Sequence, residues 1–227
     1  MALARLALAA PIAAVILGCG AGAPPPAAGA AARPDGSTEP GSFQGTRWGT
    51  YHSKRFELSL GLPGGADWKI DDHRSAWLRA THAPTQSSIG LRIWGEDRNV
   101  TRSSCYARAR EWDPELPDVE ATTLIDDRTR SLFGSREARV AVGVLGGDAT
   151  NPTRGFVVAV SADIRRCIVV AFRTQVRGPS AEDEVADRLV IMADKVLPSV
   201  KLDQSFTLSR EPAIPPPAAP GGAFGGF

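Results

Sequence analysis

Two segments in the second half of the sequence are apolar at nearly every position. They are residues 156–160 and 167–172, and a short polar stretch separates them. A strand with one exposed face alternates apolar and polar side chains, whereas a continuous apolar run indicates a strand covered on both faces. The sequence therefore predicts that these segments are the central strands of a sheet, with further structure packed on each side.

Weaker patterns predict the other strands. Alternation with a period of two marks strands at residues 56–60, 89–94 and 138–144, and further strands are predicted at residues 77–82 and 119–126. Asp126 and Asp127, directly before Arg128, are predicted to form the charged turn of a hairpin. Short connections of this kind favour antiparallel pairing.

Two segments have apolar residues three or four positions apart and predict helices. The first begins after Thr101, a favourable N-cap, and stops at Pro114, with Cys105, Ala109 and Trp112 on its inner face. The second spans residues 180–197 and carries acidic residues in its first turn. Its inner face holds Val185, Leu189, Met192, Ala193 and Val196. The predicted fold class is α+β, a mainly antiparallel β-sheet packed by two helices.

The first nineteen residues contain an export signal. Arg5 precedes an apolar stretch of residues 6–17, which is too short to span a bilayer as a helix. The closing motif Ile16-Leu17-Gly18-Cys19 resembles the lipobox of bacterial lipoproteins. That resemblance implies lipid attachment at Cys19, cleavage before it, and a membrane-anchored protein of the cell envelope. Gly20 stands where aspartate commonly marks inner-membrane retention, which favours the outer membrane if the cell has two.

The ends of the chain differ in composition from its middle. Residues 19–45 and 206–227 are rich in Ala, Gly and Pro, and such segments bury too little apolar surface to fold. All five tryptophans lie in between. We therefore predict a signal peptide at residues 1–18, a flexible tether at 19–45, a single α+β domain at 46–205 and a disordered tail at 206–227.

One segment of the predicted domain resembles the start of PsbP-like domains. It runs Tyr51-His52-Ser53-Lys54-Arg55-Phe56-Glu57-Leu58-Ser59-Leu60-Gly61-Leu62-Pro63, with Trp68 following the turn. The resemblance covers residues 46–203 and implies an αβ sandwich. Domains of that family serve as accessory subunits and adaptors without a shared active site, so the resemblance implies no chemistry.

Cys105 and Cys167 remain once Cys19 is assigned to lipid. In an oxidising compartment a disulfide is the default for such a pair, and closing a loop of about 60 residues would contribute about 4 kcal/mol in the chain-entropy model. Two buried thiols and a reactive cysteine are the alternatives. No paired-cysteine motif accompanies either residue.

The other candidate binding residues are polar or aromatic. Asp71, Asp72 and His73 form a predicted surface turn, and His82 ends a nearby strand, but no metal-ligand spacing links them. Trp48 and Trp94 are predicted to be exposed and available to a sugar or peptide. The other tryptophans, Trp68, Trp77 and Trp112, are predicted to lie in the core.

These patterns favour a non-enzymatic accessory or protein-interaction module on a membrane. No catalytic motif, metal site or cofactor is predicted, and a net charge of +1 without a basic stripe disfavours nucleic acid as a partner. Two alternatives stay open. One is a hydrolase-like envelope enzyme assembled from distant residues, and the other is a small-ligand or carbohydrate-binding lipoprotein.

Overall fold

The computed structural model describes residue 43, residues 45–148 and residues 150–203. The predicted signal peptide, the lipid-attachment residue Cys19, nearly all of the predicted tether and the predicted tail lie outside the described residues. Phe43 is buried, so the core begins before residue 46.

A seven-stranded antiparallel sheet forms the centre of the described fold. Its spatial order is β3-β4-β5-β9-β8-β7-β6. The strands are β3 (Trp68–Asp71), β4 (Leu78–His82), β5 (Ser87–Gly95), β6 (Leu124–Leu132), β7 (Arg136–Leu145), β8 (Thr153–Asp163) and β9 (Arg166–Val176). The two longest, β8 and β9, contain the continuous apolar runs and lie inside the sheet. The prediction of two central strands is therefore confirmed.

A second, smaller sheet packs on the first. It has the order β1-β2-β10 and consists of β1 (Trp48–Ser53), β2 (Leu58–Pro63) and β10 (Lys201–Leu202). Leu58, Leu60 and Leu62 of β2 are fully buried and join the same apolar cluster as Ile89 and Leu91 of β5. The small sheet thus covers part of one face of the large sheet.

Both predicted helices are present. Helix α1 (Arg102–Trp112) begins with a capping box, in which the Thr101 hydroxyl accepts from the Ser104 amide and the Ser104 hydroxyl accepts from the Thr101 amide. Helix α2 (Ala181–Ile191) continues through a π-helical turn (Met192–Val196) into the short helix α3 (Leu197–Ser199). The hydroxyl of Ser180 donates to the side chain of Glu184 instead of capping the backbone.

Each face of the large sheet has its own cover. On the α2 face, Val185 and Leu189 pack so closely on Gly155 of β8 that a Cβ there would lie 2.4 Å from a Val185 methyl. On the α1 face, Cys105 and Ala109 pack against apolar residues of β8 and β9. The fold is α+β with mostly antiparallel strands and two helices, as predicted.

Four strand assignments were incomplete or wrong. The strands β1, β3 and β10 were not predicted, because their short sequences lack apolar alternation. The strand predicted at residues 119–126 is β6 at Leu124–Leu132, so Asp126 and Asp127 lie within it and the hairpin turn comes later, at residues 133–135. As an edge strand, β6 exposes most of its side chains, so its sequence does not show the apolar alternation of a half-buried strand.

Candidate functional site

The predicted cysteine pair is a disulfide. Cys105 of α1 is bonded to Cys167 of β9, with their Cα atoms 5.5 Å apart. Cys167 lies opposite Trp94 in the β5–β9 ladder, and Cys105 is the fourth of the eleven residues of α1. Both residues are fully buried, so the bond fastens the helix to the sheet.

The prediction that Trp94 is exposed was wrong. Only 3% of its surface is accessible, because α1 covers the sheet face opposite Ile93. Its indole Nε1 donates to Glu96 at 2.9 Å, and its ring meets Trp112 edge-on at 5.1 Å between centroids. Trp48, by contrast, is 42% exposed on β1 as predicted.

Asp71, Asp72 and His73 do lie together, but Asp72 is buried and not on a surface turn. Its Oδ2 accepts hydrogen bonds from the hydroxyls of Tyr51 at 2.6 Å and Ser53 at 2.8 Å. His73 is exposed, with its Nε2 2.8 Å from Asp72 Oδ1. Asp71 accepts from two following backbone amides. These contacts tie the end of β3 to β1.

The hydrogen bond between Tyr51 and Asp72 favours an ionised carboxylate and a neutral phenol. Burial alone would raise the pKa of Asp72, but the hydroxyls of Tyr51 and Ser53 and the charge of His73 hold that pKa below its usual value. Burial, followed by the bond to Asp72, raises the pKa of Tyr51 to about 12. Near neutral pH the Tyr51 hydroxyl is therefore the donor and the Asp72 carboxylate the acceptor.

His82 is not part of this group. It pairs with Trp68 across β3 and β4, three positions from the pair of Asp71 and Arg79. Its ring is buried against the rings of Phe43 and Trp68, and its Nδ1 lies 2.8 Å from the Thr85 hydroxyl. Burial lowers the pKa of His82 and the charge of Arg188 lowers it further, while Asp67 opposes both.

A trough of about 540 Å³ lies beside β1 and takes in Trp48 and Tyr51. Its walls are residues 45–51 and 64–67, and its lining also includes Ile70, which is partly exposed, and Leu62, which is buried. Asp72 lies behind Tyr51 and His82 behind Gly64, so three predicted residues, Trp48, Asp72 and His82, line or support it. We refer to it as the β1 trough and treat it as the candidate binding site.

Tyr51, Ile70 and the glycines of the trough were not predicted as site residues. Gly49 and Gly65 are in such close contact that a Cβ on Gly49 would lie 2.8 Å from the Gly65 Cα. This approach brings β1 against the 3₁₀ turn Gly65–Asp67 and forms one end of the trough. The glycines were the only sequence signal for it.

Within the described ranges, no three His, Cys, Asp or Glu side chains are grouped so as to hold a metal ion. Among the same residues, no helix has both the length and the apolar character needed to cross a bilayer.

Comparisons with known proteins assign no family. No protein-family model matches the chain, and no curated protein matches it significantly. A solved structure from Bacteroides thetaiotaomicron is similar with a TM-score of 0.39 and 8% identity, over 69% of this chain and 48% of that one. This chain thus spans about half the length of that protein.

A second solved structure is LpqN of Mycobacterium tuberculosis, described as involved in cell envelope biogenesis. It is similar with a TM-score of 0.38 and 12% identity, over 68% of this chain and 90% of LpqN. Neither similarity is strong enough to carry an inference about this chain.

Proposed function

We propose that this chain is a lipid-anchored protein of the bacterial cell envelope whose folded part is a non-enzymatic interaction module. The observation that supports it best is the use of its three cysteines. Two are joined inside the fold, and such bonds persist in oxidising compartments outside the cytoplasm. The third, Cys19, stands at the acylated position of a lipobox-like motif.

The proposed anchor is strong enough to hold the protein at a surface. A single acyl chain binds a membrane only reversibly, whereas two or three chains on Cys19 would anchor it stably. We also propose that the protein is placed in the outer membrane if the cell has two membranes, and that its domain has the PsbP-like architecture of an adaptor. Both rest on the sequence motifs alone.

The contacts of the candidate residues favour binding over catalysis. The Thr85 hydroxyl that meets His82 is 2% exposed, so a substrate could not reach it as a nucleophile. Asp72 is already engaged by two hydroxyl donors and by His73. The exposed ring of Trp48 beside the trough supports a second candidate function, binding of a carbohydrate or another small ligand.

Labelling with radioactive palmitate tests the anchor. The parent chain should incorporate label and sediment with membranes, and Cys19→Ser should lose both properties. The matched control is the double variant Cys105→Ala/Cys167→Ala, which keeps Cys19 and should stay labelled. A Cys19→Ser form that is labelled and membrane-bound like its parent would refute the proposal.

A further inference from the structure

The described sheets have four edge strands, and three of them are protected against pairing with another chain. An exposed edge offers unpaired backbone groups, and proteins block such edges with charges or keep them short. Strand β10 has two residues and β3 has four. Strand β6 is long but charged, and its protecting residues are Asp126, Asp127, Arg128 and Arg130.

The fourth edge, β1, has neither kind of protection. Its six residues, Trp-Gly-Thr-Tyr-His-Ser, include no Asp, Glu, Lys or Arg. In the described part of the chain it pairs with β2 alone. Trp48, Thr50 and His52 are exposed along it. Strand β1 is therefore the edge most open to an added strand.

The β1 trough runs along this edge. It follows residues 48–51 of the strand, a length of about 13 Å at about 3.3 Å per residue. Its apolar lining residues are Ile70, which is partly exposed, and Leu62, which is buried, and the turn at residues 64–67 bounds it. An extended segment paired with β1 would direct every second side chain into such a recess, which is how strand addition gains specificity.

A second copy of β1 fits the trough poorly. The side chains of β1 that share the trough's side of the sheet are those of Gly49, Tyr51 and Ser53, opposite the buried leucines of β2. Gly49 has no side chain to offer. Tyr51 and Ser53 are bonded to Asp72 of their own chain. The recess therefore favours a different polypeptide.

We propose that the edge of β1 binds an extended, uncharged segment of a partner polypeptide, with an apolar side chain at every second position. The backbone of β1 supplies the hydrogen bonds, and the β1 trough accepts the alternate side chains. This rests on the proposed function, because it specifies how the interaction module meets its partner.

Photo-crosslinking in intact cells tests the proposal. A benzophenone amino acid replaces Ala66, which is exposed on the wall of the trough. Thr50→Lys adds to β1 the kind of charge that protects β6, and Thr129→Lys makes the same change on β6 as a matched control. The thermal midpoints of both variants establish that they fold.

We expect an adduct with another polypeptide, mapped by mass spectrometry to an uncharged segment with apolar residues at alternate positions. Thr50→Lys should reduce it about tenfold, a loss of about 1.4 kcal/mol in binding, and Thr129→Lys should leave it unchanged. A synthetic peptide of the mapped segment should bind the full chain saturably, and more weakly after Thr50→Lys.

The proposal is overturned if no adduct forms, or if Thr50→Lys does not reduce the adduct. It is also overturned if the adduct joins the chain to a second copy of itself, to a glycan or to another part of the same chain. Membrane sedimentation of the parent and of Cys19→Ser is measured beside the crosslinking to separate the two proposals. An edge-dependent adduct in a parent chain that does not sediment with membranes, or in a Cys19→Ser form that sediments like its parent, refutes the anchor alone. Cys19-dependent membrane association of the parent without the adduct refutes the strand addition alone.

Discussion

Buried arginines lie on both faces of the large sheet, and two of them, Arg188 and Arg92, are held differently. Arg188 of α2 donates to the Thr85 carbonyl at 2.8 Å, to the Thr174 hydroxyl at 3.0 Å and to Glu184 at 3.2 Å. On the opposite face, the guanidinium carbon of Arg92 lies 3.5 Å from the ring centroid of Trp112. The ring centroids of Trp77 and Trp94 are each 5.9 Å from the same guanidinium carbon.

The difference reflects what covers each face. The α2 face carries a broad apolar core, and its charge sits among backbone and hydroxyl acceptors that satisfy it directionally. Burial lowers the pKa of Arg188, with Glu184 opposing that effect. On the α1 face the guanidinium of Arg92 lies against the ring of Trp112, and a desolvated cation–π contact is worth about 2 kcal/mol. A disulfide then fixes the helix there.

The largest effect should come from removing the disulfide. Because it closes a loop across a sequence separation of 62, Cys105→Ala/Cys167→Ala should lower the free energy of unfolding by about 4 kcal/mol. Urea unfolding measures this. Hydrogen exchange should increase in α1 before α2, and equal loss of protection in both helices would contradict the separation of the two faces.

Overpacking the other face should have the next largest effect. Gly155→Ala places a Cβ 2.4 Å from Val185 and 3.0 Å from Leu189, which should cost about 2 kcal/mol of unfolding free energy. Gly146→Ala is the control, since no atom lies within 4 Å of its Cβ position. If both variants unfold at the parent's urea midpoint, α2 does not pack as tightly as described.

Methionine in place of each arginine sharpens the comparison. Arg188→Met removes the charged donor to the Thr85 carbonyl and the Thr174 hydroxyl, and these keep only neutral hydroxyl donors, at a cost of about 2 kcal/mol. Arg92→Met keeps an unbranched, polarisable side chain against the indoles and should cost about 1 kcal/mol. Urea unfolding of the two variants measures which substitution costs more unfolding free energy. A larger cost for Arg92→Met would show that Arg92 depends more than Arg188 on directional bonds.

The smallest effect is the pH dependence from His82. Its pKa is lowered in the folded state, so the unfolded chain takes up this proton more readily. Stability should therefore fall as the pH drops below about 6.5, by at most about 1.4 kcal/mol per pH unit for this proton. His82→Gln should remove that part of the slope, and His52→Gln, at an exposed position, should not. If neither variant changes the slope of the unfolding free energy against pH, His82 is not the source of the pH dependence.

The sequence predicts the parts of this fold that depend on local patterns. Continuous apolar runs identify β8 and β9, and Thr101 marks the start of α1, because strand burial and helix capping are read over a few residues. The burial of Trp94 could not be predicted this way. A period of two separates the faces of β5 but does not tell which faces are covered.

The β1 trough could not be predicted from local sequence patterns either. Asp72 is buried because β1 brings Tyr51 and Ser53 to it across a sequence separation of 21 and 19 residues. Strand β1 itself has no apolar period to reveal it. Its Trp48 was correctly predicted to be exposed, but the recess beside it depends on the contact between Gly49 and Gly65.

The bond between Cys105 and Cys167 also determines what a protease can release. The exposed residues 146–148 and 150–151 follow β7 and lie inside the loop that it closes. A single cut there leaves both fragments covalently joined. Nicked protein should therefore migrate as one species on a non-reducing gel and as two after reduction. Cleavage of the backbone at this turn would therefore leave the two fragments of the sheet linked to each other.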